Sequence, residues 1–394
     1  MSVSKYFWMK NFAFSLVLAL LLSSCSGGSN AMSALPQPYA GVSARADHTC
    51  AQTAVGAIKC WGGNANGELG NGTTTGSNVP VNVNGLSSGI RSFSTGVGHA
   101  CALNAGGGVL CWGLNDSGQL GDGSQTNRAA PVNASALSGI SRGITAGRAH
   151  SCALTAPGGV VCWGAGEAGQ LGNGQDKSSL QPVAVSGLSA AVAGLSAGWD
   201  FTCALTAAGG VLCWGDNRYG QLGNGSTTSS SSPVTVSGLT PGTRAISAGV
   251  DHACALTSVG GVVCWGRNQD GQLGDGTTTD SATPRPVNGL GSGVKFISAG
   301  GDLDASHTCA LTISGSVKCW GSNQSGQLGN GGGANSSSPV DVSGLSMGAR
   351  AIAAGGSHSC AINATAELVC WGDNRSGQLG NGSSSNSSTP VSVR

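Results

Sequence analysis

The residue types best able to do chemistry in this chain sit at fixed repeat positions. His48, His99, His150, His252, His307 and His358 each stand two residues before a cysteine, and Phe201 takes that place once. Fourteen of the 15 cysteines form pairs ten residues apart. The pairs are Cys50 with Cys60, Cys101 with Cys111, Cys152 with Cys162, Cys203 with Cys213, Cys254 with Cys264, Cys309 with Cys319, and Cys360 with Cys370. Two chemistries use such residues. His-x-Cys on a strand puts both side chains on one face, as a zinc site would need. No Cys-x-x-Cys accompanies it and one unit has phenylalanine instead, so no metal is expected. The histidines are read as structural, hydrogen-bonded within their unit. The second chemistry is disulfide formation. A pair ten apart around a central turn, as Cys101 and Cys111 are around Gly106, faces itself across adjacent antiparallel strands. The bridging range of Cα separations, about 4.4–6.8 Å, is then within reach. Seven bridges are expected, with seven pairs of buried thiols as the alternative.

The elements that must hold these residues follow from the repeat. Each second cysteine precedes a tryptophan, and these tryptophans recur every 51 residues, except for 55 between Trp265 and Trp320. Gly-Gln-Leu-Gly follows in each unit, with Glu68 in place of glutamine in the first, and a proline stands 19 residues after each tryptophan. One unit reads Ile144-Thr-Ala-Gly, His150-Ser-Cys-Ala-Leu, Val160-Val-Cys-Trp and, after a polar loop, Pro182-Val-Ala-Val. That gives four short strands, the last opening with proline as an edge strand tolerates. Turns consume the glycines, 69 of 394 residues. The fold class is all-β, a seven-bladed β-propeller of four-stranded antiparallel blades. The repeated tryptophans are expected in the core or between blades.

The remaining cysteine, Cys25, belongs to a different segment. Lys5 and Lys10 precede an apolar run from Phe12 to Leu22, and Leu22-Ser-Ser-Cys25 closes it. Such a run is too short to cross a ~30 Å hydrocarbon core as a helix. Its layout is that of an export signal, with Met9 an alternative start. Leu-Ser-Ser-Cys resembles the lipobox of bacterial lipoprotein signal peptides. The resemblance implies cleavage before Cys25, lipid on that residue, and outer-membrane sorting because Ser26 rather than aspartate follows. The expected organisation is a signal peptide over 1–24, a lipidated cysteine and tether over 25–38, and the propeller over 39–394.

His-x-Cys-Ala-Leu, Cys-Trp-Gly-x-Asn-x-x-Gly-Gln-Leu-Gly and the Pro-Val strand resemble the regulator of chromosome condensation repeat, over about residues 40–394. The resemblance implies a seven-bladed propeller. The family's namesake exchanges nucleotide on a small nuclear GTPase, a partner that an exported lipoprotein would not meet. Exported bacterial relatives, among them propeller inhibitors of β-lactamases, imply protein binding on one face of the ring. The paired cysteines depart from the usual family pattern.

Function is expected where the repeat breaks. The turn before each histidine and the loop after each Cys-Trp-Gly lie at the same end of an antiparallel hairpin, so both decorate one face. That face carries Arg45, Asp47, Arg148, Trp199, Asp200, Asp251 and the only insertion, around Asp302, Leu303 and Asp304. The neighbouring loops add Asp216, Arg218, Tyr219, Arg267 and Arg375. Tryptophan, tyrosine and arginine on loops have the composition of an interaction hot spot. A net charge of +1 argues against a nucleic-acid partner. No catalytic constellation and no cofactor motif is present. The reading is a monomeric, non-enzymatic scaffold, lipid-anchored in the bacterial envelope, that binds a protein or a glycan. Three alternatives are a propeller lyase or hydrolase using loop acids on a polysaccharide, nucleotide exchange by family analogy, and a structural adhesin.

Overall fold

A computed structural model of the chain describes residues 38–135, 137, 141–156, 158–239, 241–302 and 305–394. The signal segment, Cys25 and the tether up to residue 37, with Leu303 and Asp304, lie outside the described residues. Regular structure among those described is entirely β. Twenty-eight strands form seven four-stranded antiparallel sheets, each a meander in chain order. The blades cover residues 39–82, 90–133, 141–184, 192–235, 245–286, 294–341 and 351–392, numbered 1 to 7 below. The first strand of every blade lines a central channel. Among the described residues, no strand is lent from one blade to another at the junction of blades 7 and 1.

The cysteine pairs fall where the spacing places them. Cys101 on His99–Asn104 faces Cys111 on Val109–Gly113. The same register sets Cys50 against Cys60, Cys152 against Cys162 and Cys203 against Cys213. It also sets Cys254 against Cys264, Cys309 against Cys319 and Cys360 against Cys370. All seven pairs are bonded, as expected, rather than left as buried thiols. Their Cα separations, 4.0–4.1 Å, fall just below the expected range. Position accounts for the difference. Asn104 N–H donates to the Gly108 carbonyl and Leu114 N–H to that of Gly98. Counting in from either end, Cys101 and Cys111 fall at the closer, non-hydrogen-bonded kind of antiparallel pair.

The proline does not open the fourth strand. In Ser179–Ala184, Pro182 is the fourth residue. Pairing runs Val161↔Ala184 and Cys162↔Val183, then jumps to Gly164↔Ser179. Residues 180–182 therefore bulge opposite Trp163, and the missing N–H of Pro182 falls in a bulge on an edge strand, where no ladder bond is lost. The same jump recurs in the other six blades.

The hydrophobic core is distributed between blades. Trp163 of blade 3 packs with Leu103, Val109 and Leu120 of blade 2, and each tryptophan does the same against the blade before it. All seven are 0% exposed. At roughly 150–250 Å² per ring and ~25 cal/mol/Å², each contributes up to about 4–6 kcal/mol. The closing glycine of Gly-Gln-Leu-Gly permits this approach: Gly121 has φ +70, and a Cβ there would press on the Trp163 indole.

A polar relay accompanies the packing, and it corrects the expectation for the histidines. His99 of blade 2 bonds Ser151 of blade 3, not a group of its own blade, with Nε2 2.9 Å from Oγ. Ser151 Oγ donates to the Gln119 carbonyl of blade 2 at 2.9 Å, and Trp163 Nε1 donates to the same oxygen at 2.9 Å. Since the hydroxyl proton goes to Gln119, His99 must supply its own, which makes it a neutral Nε2–H tautomer. Burial agrees, holding the imidazoles of His99, His150, His252 and His307 at about 3. His358 bonds Thr49 at 2.7 Å, and both Thr49 and Trp61 reach the Gln378 carbonyl, so the ring closes with the same relay.

Two junctions lack the hydroxyl, with Ala100 in blade 2 and Ala253 in blade 5 at that position. Opposite Ala253 the histidine position is Phe201, a matched apolar exchange. Opposite Ala100 stands His48, fully buried, with neither ring nitrogen hydrogen-bonded.

Candidate functional site

The turns between first and second strands ring one mouth of the channel and bond to each other from blade to blade. Val97 N–H donates to the Gly147 carbonyl, Arg148 N–H to that of Trp199, and Trp199 N–H to that of Val250, at 3.1–3.2 Å. Each turn is also tied to the long loop of its own blade, as Asp216 N–H is to the Asp200 carbonyl at 2.8 Å. Both sets of loops therefore share one face, as expected.

The insertion in blade 6 makes its first hairpin taller. Val294–Gly301 and Ser306–Thr312 pair as far as Gly301↔Ser306, beyond the reach of the other blades. Asp302 N–H donates to the Ala305 carbonyl at 2.8 Å to close the turn. The hairpin is braced on both sides. Ser357 of blade 7 donates to Asp302 Oδ2 at 2.6 Å, and Ser306 N–H to Asp270 Oδ2 at 3.2 Å.

Trp199 and Asp302 open onto one cavity of about 450 Å³, with Val97, Gln324, Ser325 and Arg375 among its other walls. The Trp199 Nε1–H is buried and has no acceptor among the described residues. The Arg148 guanidinium lies over the same ring, 5.9 Å from its centroid. Arg375, on the cavity wall, pairs with Asp373 at 2.9 Å.

The other expected residues form an adjoining belt across blades 3 to 5. Arg148 pairs with Asp200 at 3.0 Å, Arg218 with Asp216 at 3.0 Å, and Arg267 with Asp251 at 3.9 Å. The Arg267 guanidinium also lies 5.6 Å from the Tyr219 ring centroid. Burial, reinforced by Asp216, pushes Asp251 up to about 6, and burial raises Asp200. A second cavity of about 380 Å³ opens between Glu167, Asp176, Asp200, Asp216 and Arg218. Exposed large apolar side chains at hairpin tips, Val55, Val259 and Ile313, are on the opposite face.

Chemically, the first cavity offers an aromatic wall, an indole donor, amide and hydroxyl groups and one charge of each sign. That set stacks and hydrogen-bonds, and no histidine is among its described walls. Five of the six histidines are spent on the relay and the fourteen paired cysteines on bridges.

Sequence reasoning missed Gln324, Ser325 and Ser357, which carry ordinary loop residue types. It also missed the role of Arg45. That position is glycine in the other six blades, at Gly96, Gly147, Gly198, Gly249, Gly300 and Gly355, and the break in pattern was the available signal.

Seven self-contained blades around a channel, with one face built from irregular loops, define a β-propeller. The chain belongs to the RCC1-like domain family, whose profile matches residues 25–305 and 181–394. It is 32% identical over 362 residues to the ultraviolet-B receptor UVR8 of Arabidopsis thaliana, covering 90% of this chain and 81% of that protein. Among solved structures, human WBSCR16 superposes with TM-score 0.76 at 25% identity, covering 86% of this chain and 94% of that one. Prp20p of Saccharomyces cerevisiae superposes with TM-score 0.74 at 23% identity, covering 91% and 87%, a likeness of fold.

Proposed function

We propose that this chain is a non-enzymatic scaffold, anchored in the bacterial envelope by lipid on Cys25, whose loop face binds a protein. The observation carrying the reading is that Trp199 and the hairpin at Asp302, the two strongest departures from the repeat, meet in one cavity. An aromatic anchor in a pocket beside a rim of alternating aspartate and arginine is the make-up of a protein-binding hot spot. Prp20p, which shares the fold, binds Gsp1p and histones. The acids of the belt each have an arginine partner, an arrangement suited to charge complementarity rather than to proton transfer. Seven bridges suit an oxidising compartment, consistent with export and with Leu22-Ser-Ser-Cys25.

A photo-crosslinking residue at Gln324, on the cavity wall, and one at Val259, on the opposite face, test the reading in the full-length protein in its native envelope. The reading expects one protein adduct from position 324 and none from 259. A glycan adduct at 324, adducts from both faces, or none would refute it.

A further inference from the structure

The central channel holds a buried cation that the binding face does not use. Arg45 is 6% exposed, and its side chain spans the channel to blade 5. Nη1 donates to the Ala248 carbonyl at 3.3 Å and Nη2 to the Gly249 carbonyl at 3.2 Å. A guanidinium has five N–H donors, and these two contacts exhaust its acceptors among the described residues; Nε is buried with none. Burial lowers its pKa to about 10, and no carboxylate offsets that. Among the described residues, no acidic side chain lines the surrounding cavity of about 150 Å³. In the other six blades the position is glycine, where a Cβ would overlap a ring or a carbonyl. The arginine is therefore a single departure in an otherwise uniform ring.

Two residues back along the first strand, on the same side of the strand, stands a hydroxyl in six of the seven blades, with Ala353 in the seventh. Ser94, Thr145, Ser196, Ser247 and Ser298 each accept the backbone N–H of the next blade at 2.9–3.0 Å. Their oxygens are thereby occupied as acceptors, while the O–H protons have no acceptor among the described residues. All five line the same cavity as Arg45. The channel thus collects O–H and N–H donors and one uncompensated positive charge, with no anionic group of its own. Buried charge without a partner is costly, and a bound anion would both neutralise the guanidinium and accept from the hydroxyls.

The geometry points to an axial binding site for a small inorganic anion, held by Arg45 and the channel hydroxyls. The cavity limits the ligand to the size of a halide or a phosphate. The site is separate from the loop-face cavity and does not depend on what that face binds.

Two measurements on the full-length protein test it. In crystals grown with sodium bromide, an anomalous peak is expected on the axis within hydrogen-bond distance of Arg45; a map without one overturns the proposal. In solution at constant ionic strength, replacing gluconate, too large for the cavity, by inorganic phosphate is expected to raise the melting temperature with saturation in the low millimolar range. Arg45→Met, which keeps the side-chain length, and Arg45→Gly, which restores the residue of the other blades, are each expected to abolish that rise. A rise that never saturates marks an adventitious ion only and overturns the proposal, as does an undiminished rise in Arg45→Met. The bromide experiment on the unaltered protein remains decisive if the variants fold poorly.

Discussion

Trp199 and Asp302 line one cavity although they stand two blades apart on the ring. Each lies in the turn between the first and second strands of its blade, and those turns converge only where the channel opens. Trp199 is bonded into the collar through its backbone, and Asp302 is braced by Ser357. Both walls are therefore preorganised, which limits the ordering cost that a partner would meet.

The relay between blades predicts a stabilising substitution. Ala100→Ser places a hydroxyl opposite His48, which now has no partner, and within reach of the Glu68 carbonyl that Trp112 already uses at 2.8 Å. A gain of about 1 kcal/mol is expected in denaturant unfolding. The converse Ser151→Ala strands the Nε2–H of His99 and should cost about 1–3 kcal/mol. Ala253→Ser, facing Phe201, gains nothing. Equal effects of the two serine insertions would contradict the relay.

Acid should destabilise the ring. His99, His150, His252 and His307 have folded-state values of about 3 and His358 about 4, against about 6.5 in an unfolded chain. Between those values the unfolded chain binds protons that the folded one cannot, so stability is complete above about 6.5 and falls as pH drops toward 3. Asp251, raised to about 6, acts in the opposite sense: its contribution favours the folded state in acid and is lost as pH rises through 6. Asp200 and Asp270, also raised by burial, act in the same sense as Asp251, and five histidines outweigh these three aspartates. Melting temperatures taken from pH 7.5 down to 4 should decline; a flat or rising profile would contradict the buried neutral imidazoles.

The bridges make a separable prediction. In the chain-entropy picture, the ten-residue loop closed by Cys101 and Cys111 is worth roughly 2–3 kcal/mol, so the double serine variant should unfold at correspondingly lower denaturant. Alkylation followed by intact-mass measurement should block the fourteen propeller cysteines only after reduction. Blocking without reduction would show free thiols.

The fold was legible because every element is written seven times. The ten-residue cysteine spacing, the tryptophans and Gly-Gln-Leu-Gly dictate the hairpin, the packing and the turn, and one copy checks another. Three features were less legible, each for a physical reason. Pro182 sits in the middle of its strand because the bulge opposite Trp163 is a property of pairing, not of local composition. Five of the six histidines bond the next blade because curvature brings residues such as Ser151 over His99, and spacing within one unit carries no information about its neighbour. Arg45 read as one more charged loop residue, whereas ring closure turns it inward across the axis. Of the candidate site, the common face of the two loop sets was readable, while the contribution of Gln324, Ser325 and Ser357 and the union of Trp199 with Asp302 required the closed ring.

The most direct test of the central claim is the affinity of the full-length chain for the protein captured by the crosslinker at position 324. Trp199→Ala combined with deletion of residues 302–305 is expected to weaken binding at least about 100-fold, as removal of a tryptophan anchor does elsewhere. The variant should retain its seven bridges and its cooperative unfolding. Undiminished affinity in a folded variant would contradict the claim that this cavity is the binding site.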